Sequence, residues 1–252
     1  PWTDFQVTLM NWKMFFEGRL STTAAKIYTT GYVLKMIWNT FVVAAGVTGV
    51  VALTSIPAAY TISRMNFRGR SPLMKLLILL HAFPGVALII AVYAMFVATL
   101  KHIPKEYFVL YSFVYVIVAR ASLEIPMAIW ILKGFFDRVP WEVEWAAIVD
   151  GASRLRTLYQ VVLPVVKPGI AAVAIFAFLA GWEELIYVLV FLPPEEKTLA
   201  TFIDSQLGSA SLELAYLPVV AAAATLYLIP TIVFFIFTQR LLLETMAGGL
   251  KG

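Results

Sequence analysis

The sequence predicts an all-α integral membrane protein, on three observations. Of its 252 residues, 61% are hydrophobic and 13% charged, where an ordinary soluble domain carries about 25% charged. Five stretches are long and apolar enough for a helix to cross a bilayer, which takes about 20 residues. The cations between those stretches are unequally shared. The net charge of +4 is spread over these connecting segments, where membrane proteins normally keep Lys and Arg, so it points to a lipid bilayer and not to nucleic acid. The chain has no cysteine, which excludes disulfides, thiolate chemistry and Cys-ligated metals.

Taken in order, residues 1–36 form an external segment that lacks the basic start and apolar run of a signal peptide. The expected spans are 37–62, 73–100 and 108–132, then, after a loop over 133–168, 169–192 and 216–238, with a tail over 239–252. Trp38, Tyr60, Tyr107 and Trp130 fall near span ends, as interfacial aromatics do. One side of this arrangement carries Arg64, Arg68, Arg70 and Lys75, the five cations of loop 133–168, and Arg240 and Lys251. That is eleven cations against seven on the other side. The eleven-cation side is expected to be cytoplasmic, with the N-terminus outside. An outside start without a leader is awkward for insertion, so a further span is expected upstream.

The loop holds the stretch EWAAIVDGASRLRTLYQVVLP, residues 144–164. Trp145, Ile148, Val149 and Ala152 recur at helical spacing and read as an apolar stripe. Glu144, Ala147 and Gly151 read as a second, small and acidic stripe, expected to face outward. Gly151 costs about 1 kcal/mol inside a helix, which implies a bend or a tight contact. Leu155, Leu158, Tyr159 and Val162 give a second helical run that Pro164 should stop. Pro168 suits the first turn of the next helix. Two short surface helices follow from this. They either dock a protein or rest on lipid, and the scarcity of cations on the outward face favours a protein.

These residues resemble the E-A-A-x3-G-x9-I-x-L-P loop of ABC-importer membrane subunits. Ala146 and Ala147 are followed by three residues, Gly151, nine residues, and Val161-Val162-Leu163-Pro164. Trp145 stands where the family has Glu, and Glu144 is the nearest carboxylate. AAYTISRMNFRGR (58–70), FPGVALIIAVY (83–93), PMAIWILKGFFDRVP (126–140) and AGWEELIYVL (180–189) are also similar to family segments. AGGLKG (247–252) looks like the tail of the smaller maltose-type permease. The resemblance implies a type I importer fold of six spans, the five seen here matching the last five. It implies a sugar importer of maltose/trehalose type: a second permease subunit as heterodimer partner, two ATPase subunits, and an external solute-binding protein. ATP and Mg would bind the ATPase subunits. This chain has no phosphate-binding G-x-x-x-x-G-K-[ST] loop, and no catalytic role is expected of it. Contact with the motor is expected at Glu144, Trp145, Ala146, Ala147, Asp150, Gly151, Leu163 and Pro164.

Charges inside spans are costly and mark function or pairing. Arg120 and Glu124, four apart, are expected to share a face and either line a cavity or clip helices together. Trp182, Glu183, Glu184 and Tyr187 are candidates for a solute path, since carboxylates take hydrogen bonds from sugar hydroxyls and rings stack on sugar faces. Alternatively the acids pair with a basic residue of the partner subunit. Pro84-Gly85 should kink its span, for gating or for packing. The acidic segment 193–215 could dock a binding protein or simply be solvated. His81 and His102 are isolated, and no grouping has metal-ligand spacing. An intramembrane protease would need a catalytic constellation that is absent. An ion-driven transporter would show repeated broken spans. A different solute on the same scaffold, such as a glycerol phosphate, stays open.

Overall fold

The computed structural model describes residues 9–17, 30–207 and 217–248, and of residues 30, 218 and 237–248 the backbone alone. Arg19, Lys26, Glu213, Lys251 and most of the AGGLKG tail lie outside the described residues. Every regular element among the described residues is helical. Apolar chain in lipid must satisfy its backbone hydrogen bonds within the segment, and helices do so.

The helices are α1 (Met10–Glu17), α2 (Thr30–Arg64), α3 (Arg70–His81), α4 (Ile89–Leu100), α5 (Phe108–Asp137), α6 (Trp141–Val149), α7 (Arg154–Thr157), α8 (Leu163–Val165), α9 (Lys167–Trp182), α10 (Ile186–Phe191), α11 (Leu199–Leu207) and α12 (Leu217–Gly248). Among the described residues, three helical stretches are long and apolar enough to cross a membrane by themselves: Gly31–Arg64, Lys105–Asp137 and Val219–Ile236. The number rises to five if each of two bent pairs counts as one span.

Two expected spans are corrected, one by a bent pair and one by a gap between helices. Span 73–100 is not one rod: Arg70–His81 and Gly85–Leu100 meet at 91°. Pro84 is extended, with φ −67° and ψ 117°, and proline carries no amide hydrogen to continue the ladder. Span 169–192 is also interrupted. Its helix α9 ends at Trp182, and residues 183–185 separate it from α10. The other bent pair joins Arg154–Val165, expected in the loop, to α9 at 79°.

The chain divides into two compact units, one of residues 1–42 and 183–252, the other of 43–182. In the second unit α5 is the hub, packing on both α3 and α9. Glycines allow the close approaches. A Cβ on Gly169 would lie 2.4 Å from the Phe135 ring, and one on Gly181 would lie 2.8 Å from the Ala44 Cα. Small residues at such contacts let membrane helices pack backbone to backbone. Val43, Val47, Val116, Leu132 and Phe136 are fully buried there. Helix α3 buries no residue, and Ile90 on α4 is 80% exposed, so both present apolar faces outward.

In the first unit, α1 and α11 both pack on α12. Phe15 is fully buried, its ring 6.2 Å from that of Phe202. Lys35 Nζ lies 2.6 Å from Glu196 Oε1, and Asn39 Nδ2 donates to Glu196 Oε2 and to the Lys197 carbonyl. Glu196, counted among the acids offered to a binding protein, is therefore held within the chain. Glu195 and Asp204 remain exposed.

Candidate functional site

The loop over 141–165 folds as two short helices around a turn, and four consecutive residues explain it. Asp150 ends α6. Gly151 takes φ +87°, a left-handed conformation that glycine adopts without the penalty other residues meet. The Ala152 amide donates to the Ala147 carbonyl at 2.9 Å and the Gly151 amide to the Ile148 carbonyl at 3.0 Å. This is a Schellman ending, which satisfies carbonyls left open by the last turn. Ser153 then caps α7, its hydroxyl accepting from the Arg156 amide at 3.3 Å. A Cβ on Gly151 would meet nothing within 4 Å, so this glycine serves the turn and not a close contact within the chain.

The second run departs from expectation at Pro164. The chain stays helical through Val165, but residues Leu158–Val162 wind more widely, as a π-helix. Pro164 lacks the amide that would bond the Gln160 carbonyl, and ladders widen where a bond is lost. Pro168 sits in the first turn of α9, as its fixed φ favours.

The faces of α6 depart from expectation at Glu144, Trp145 and Val149, while Gly151 is exposed as expected and Ala147 and Ile148 are half-buried. Glu144, placed on the outward stripe, is 4% exposed, while Trp145 is 55% and Val149 83% exposed. Burial of the carboxylate has a specific cause. Arg64, the last residue of α2, sends Nε to Glu144 Oε1 at 2.5 Å and Nη2 to the Val139 carbonyl at 2.8 Å. The Tyr60 hydroxyl donates to Glu144 Oε2 at 3.1 Å. The guanidinium also lies over the Trp141 ring, 4.8 Å from its centroid. Glu144 thus does not replace the missing Glu at position 145 as an outward contact. Tyr60, expected as an interfacial aromatic, belongs to this cluster. Ser63 Oγ donates to Asp137 Oδ1 at 2.6 Å, and Lys133 Nζ reaches the other oxygen of Asp137. The ends of α2, α5 and α6 are clasped together by these groups.

Sequence reasoning missed Arg64. The available signal was a cation closing a long apolar helix, with an otherwise unexplained carboxylate on the loop. Ala146 and Asp150 are exposed beside Trp145 and Val149, Ala147 is half-buried, and Leu155 and Tyr159 of the second run add further exposed apolar surface. Leu163 is half-buried and Pro164 exposed.

Within the spans, Arg120 Nη1 and Glu124 Oε1 are 2.7 Å apart, with side chains 18% and 20% exposed. Glu124 also borders a cavity of about 230 Å³ formed by α2, α3, α5 and α9. Its other polar edge is His81, whose Nδ1 lies 3.3 Å from the Leu123 carbonyl. At the Pro84-Gly85 bend a Cβ on Gly85 would lie 2.6 Å from Leu123 Cδ1, so the bend packs tightly on α5.

Glu183 and Tyr187 do not share a helical face, because the helix is broken between them. Glu183 is exposed and Tyr187 is buried. Glu183 Oε1 accepts from Thr231 Oγ1 at 3.2 Å, and Glu184 Oε1 accepts from the Tyr187 amide at 2.8 Å. Trp182 is buried and stacked on Phe178, with centroids 5.7 Å apart. Neither ring offers the open face that stacking on a sugar would need. Among the described residues, no group of three or more His, Cys, Asp or Glu could hold a metal.

Continuous and broken apolar helices, joined by a short helix–turn–helix that keeps large apolar side chains exposed, define the membrane subunit of a transporter. Residues 51–246 match the family described as binding-protein-dependent transport system inner membrane component, and the chain belongs to that family. It is therefore a multi-pass component of the inner membrane. It is 35% identical to the maltose/maltodextrin permease protein MalG of Salmonella typhimurium, over 87% of this chain and 73% of that one. It is 33% identical to the maltodextrin permease protein MdxG of Bacillus subtilis, over 85% and 74%, and 32% identical to the sulfoquinovosyl glycerol permease protein SmoH of Agrobacterium fabrum, over 86% and 73%. The fold matches a bacterial ABC transporter that imports alginate, with a TM-score of 0.63 at 19% identity, covering 91% of this chain and 88% of that one.

Proposed function

We propose that the chain is one permease subunit of an ATP-driven carbohydrate importer. It lines half of a translocation path with a second permease subunit, receives solute from an external binding protein, and is moved by two ATPase subunits that bind ATP and Mg. A sugar is favoured over other solutes because relatives named for maltodextrin, maltose and sulfoquinovosyl glycerol transport cover most of the chain. The motor contact is assigned to the loop 141–165. The observation that carries it is the exposure of Trp145, Val149, Leu155 and Tyr159 on two helices set by the Asp150–Ser153 turn. Large apolar side chains left exposed on a charged loop between spans support an interaction site there.

The chain has no natural cysteine, so a Val149→Cys variant carries a single thiol. In membranes containing the partner subunits, that thiol should cross-link to an ATPase bearing cysteines in its surface clefts. Labelling of the thiol by lipid-soluble reagents alone, with no cross-link at any cleft position, would remove the docking assignment. Uptake into vesicles should require ATP and a soluble binding protein. Uptake driven by a proton or sodium gradient would remove the importer reading.

A further inference from the structure

We propose that Arg64 and Glu144 are positioning residues that carry movement of the loop helix α6 into the long helix α2. The inference rests on the docking assignment above. Among the described residues, the hydrogen bonds of Arg64 and Tyr60 to Glu144 are the only ones made by any side chain of α6. Both charged side chains are 5% exposed, so water does not compete for the contact. The planar guanidinium holds two points at once, Glu144 and the Val139 carbonyl just before α6. A fixed fork of donors resists rotation in a way a single flexible cation does not. Glu144 is buried where Trp145 and Val149 are exposed. A push on the exposed face is thus delivered to the end of α2. That helix runs for 35 residues, with Pro57 inside it as the one residue that cannot donate to its ladder, and a displacement at Arg64 is conveyed along it toward its opposite end, near Leu34.

The test separates a mechanical link from simple charge neutralisation. Two single-cysteine reporters are used in membranes carrying the whole complex. Val149→Cys reports docking by cross-linking. Leu34→Cys, 56% exposed at the far end of α2, reports movement by its rate of labelling with a membrane-impermeant maleimide. With natural Arg64 and Glu144, Mg-ATP plus vanadate should change the labelling rate at position 34 at least about fivefold. In the double variant Arg64→Met/Glu144→Gln neither charge is orphaned, so the complex should still assemble and cross-link at 149. The response at 34 should be lost. A full response in the double variant, or no response with the natural pair, overturns the proposal. Absence of the cross-link with the natural pair strikes instead at the docking assignment. If the double variant fails to assemble, Tyr60→Phe, which keeps both charges, should reduce the response about twofold, and an unchanged response there overturns the proposal as well.

Discussion

The hydroxyl of Thr40 accepts a hydrogen bond from the backbone amide of Leu199 at 2.9 Å while donating its own proton to the Met36 carbonyl at 2.7 Å. Leu199 opens α11, and the first amides of a helix have no partner within it. Both residues are buried. A Thr40→Val substitution keeps the shape and orphans the amide, which costs about 1–3 kcal/mol. We predict a lower midpoint in thermal unfolding of the purified complex for Thr40→Val, with Thr40→Ser retaining most of the natural stability. Equal midpoints for Val and natural protein would show that the amide finds another partner.

Gly151 should be sensitive to backbone conformation and not to bulk inside the chain. The left-handed region costs an L-residue about 1–2 kcal/mol, less for Asn. Gly151→Ala should therefore fray the end of α6, seen as faster amide exchange at Gly151 and Ala152, and Gly151→Asn should do so less. Gly151→Leu should add a defect that Ala lacks: ATP hydrolysis uncoupled from uptake, because the added bulk reaches a docked partner. Matching transport by the Ala and Leu variants would count against that second effect.

Arg120 and Glu124 form an ion pair that is mostly shielded. Removing one partner of a buried pair costs about 3–5 kcal/mol. With a fifth of each side chain exposed, the expected loss is smaller, about 1–3 kcal/mol. Arg120→Ala alone should reduce the amount of assembled complex more than Arg120→Ala with Glu124→Ala. Should the double variant assemble as poorly as the single, the charges do not neutralise each other.

Gly181 faces backbone, and backbone cannot swing aside. Overpacking a tight contact costs about 1–3 kcal/mol, so Gly181→Ala should lower stability by that order. Gly169→Ala should cost more, because its Cβ would lie 2.4 Å from Phe135 Cγ, the ring atom nearest the backbone, against 2.8 Å to the Ala44 Cα at Gly181. Measured unfolding midpoints in the opposite order would refute this reading of the two contacts.

The legible parts were local ones. Apolar length marked the membrane class, and two runs of helical spacing on either side of Gly151 marked two short helices, because periodicity and a glycine's bend act on near neighbours; that Gly151 ends the first helix and Ser153 caps the second came only from the structure. Glu144 was misread because its direction is set by Arg64, 80 residues earlier in the chain. Periodicity identifies stripes, but it does not say which stripe is inside when the apolar one stays exposed. The break after Trp182 was hidden for a related reason. The apolar run continues past Glu183 and Glu184, while those carboxylates bond Thr231 and the Tyr187 amide in preference to extending a helix. Pro84-Gly85 announced a kink, but proline alone does not fix an angle of 91°.

The two glycines of α9 restrict how this part of the molecule could move. One seats the helix on α5 near its start and the other seats it on α2 at its end. Sliding α9 along its axis by one turn, about 5.4 Å, would bring residues with side chains into both notches at once. A rearrangement within the unit of residues 43–182 would therefore move α5, α9 and the stretch of α2 that packs on them together, leaving bends such as Pro84 to absorb the change.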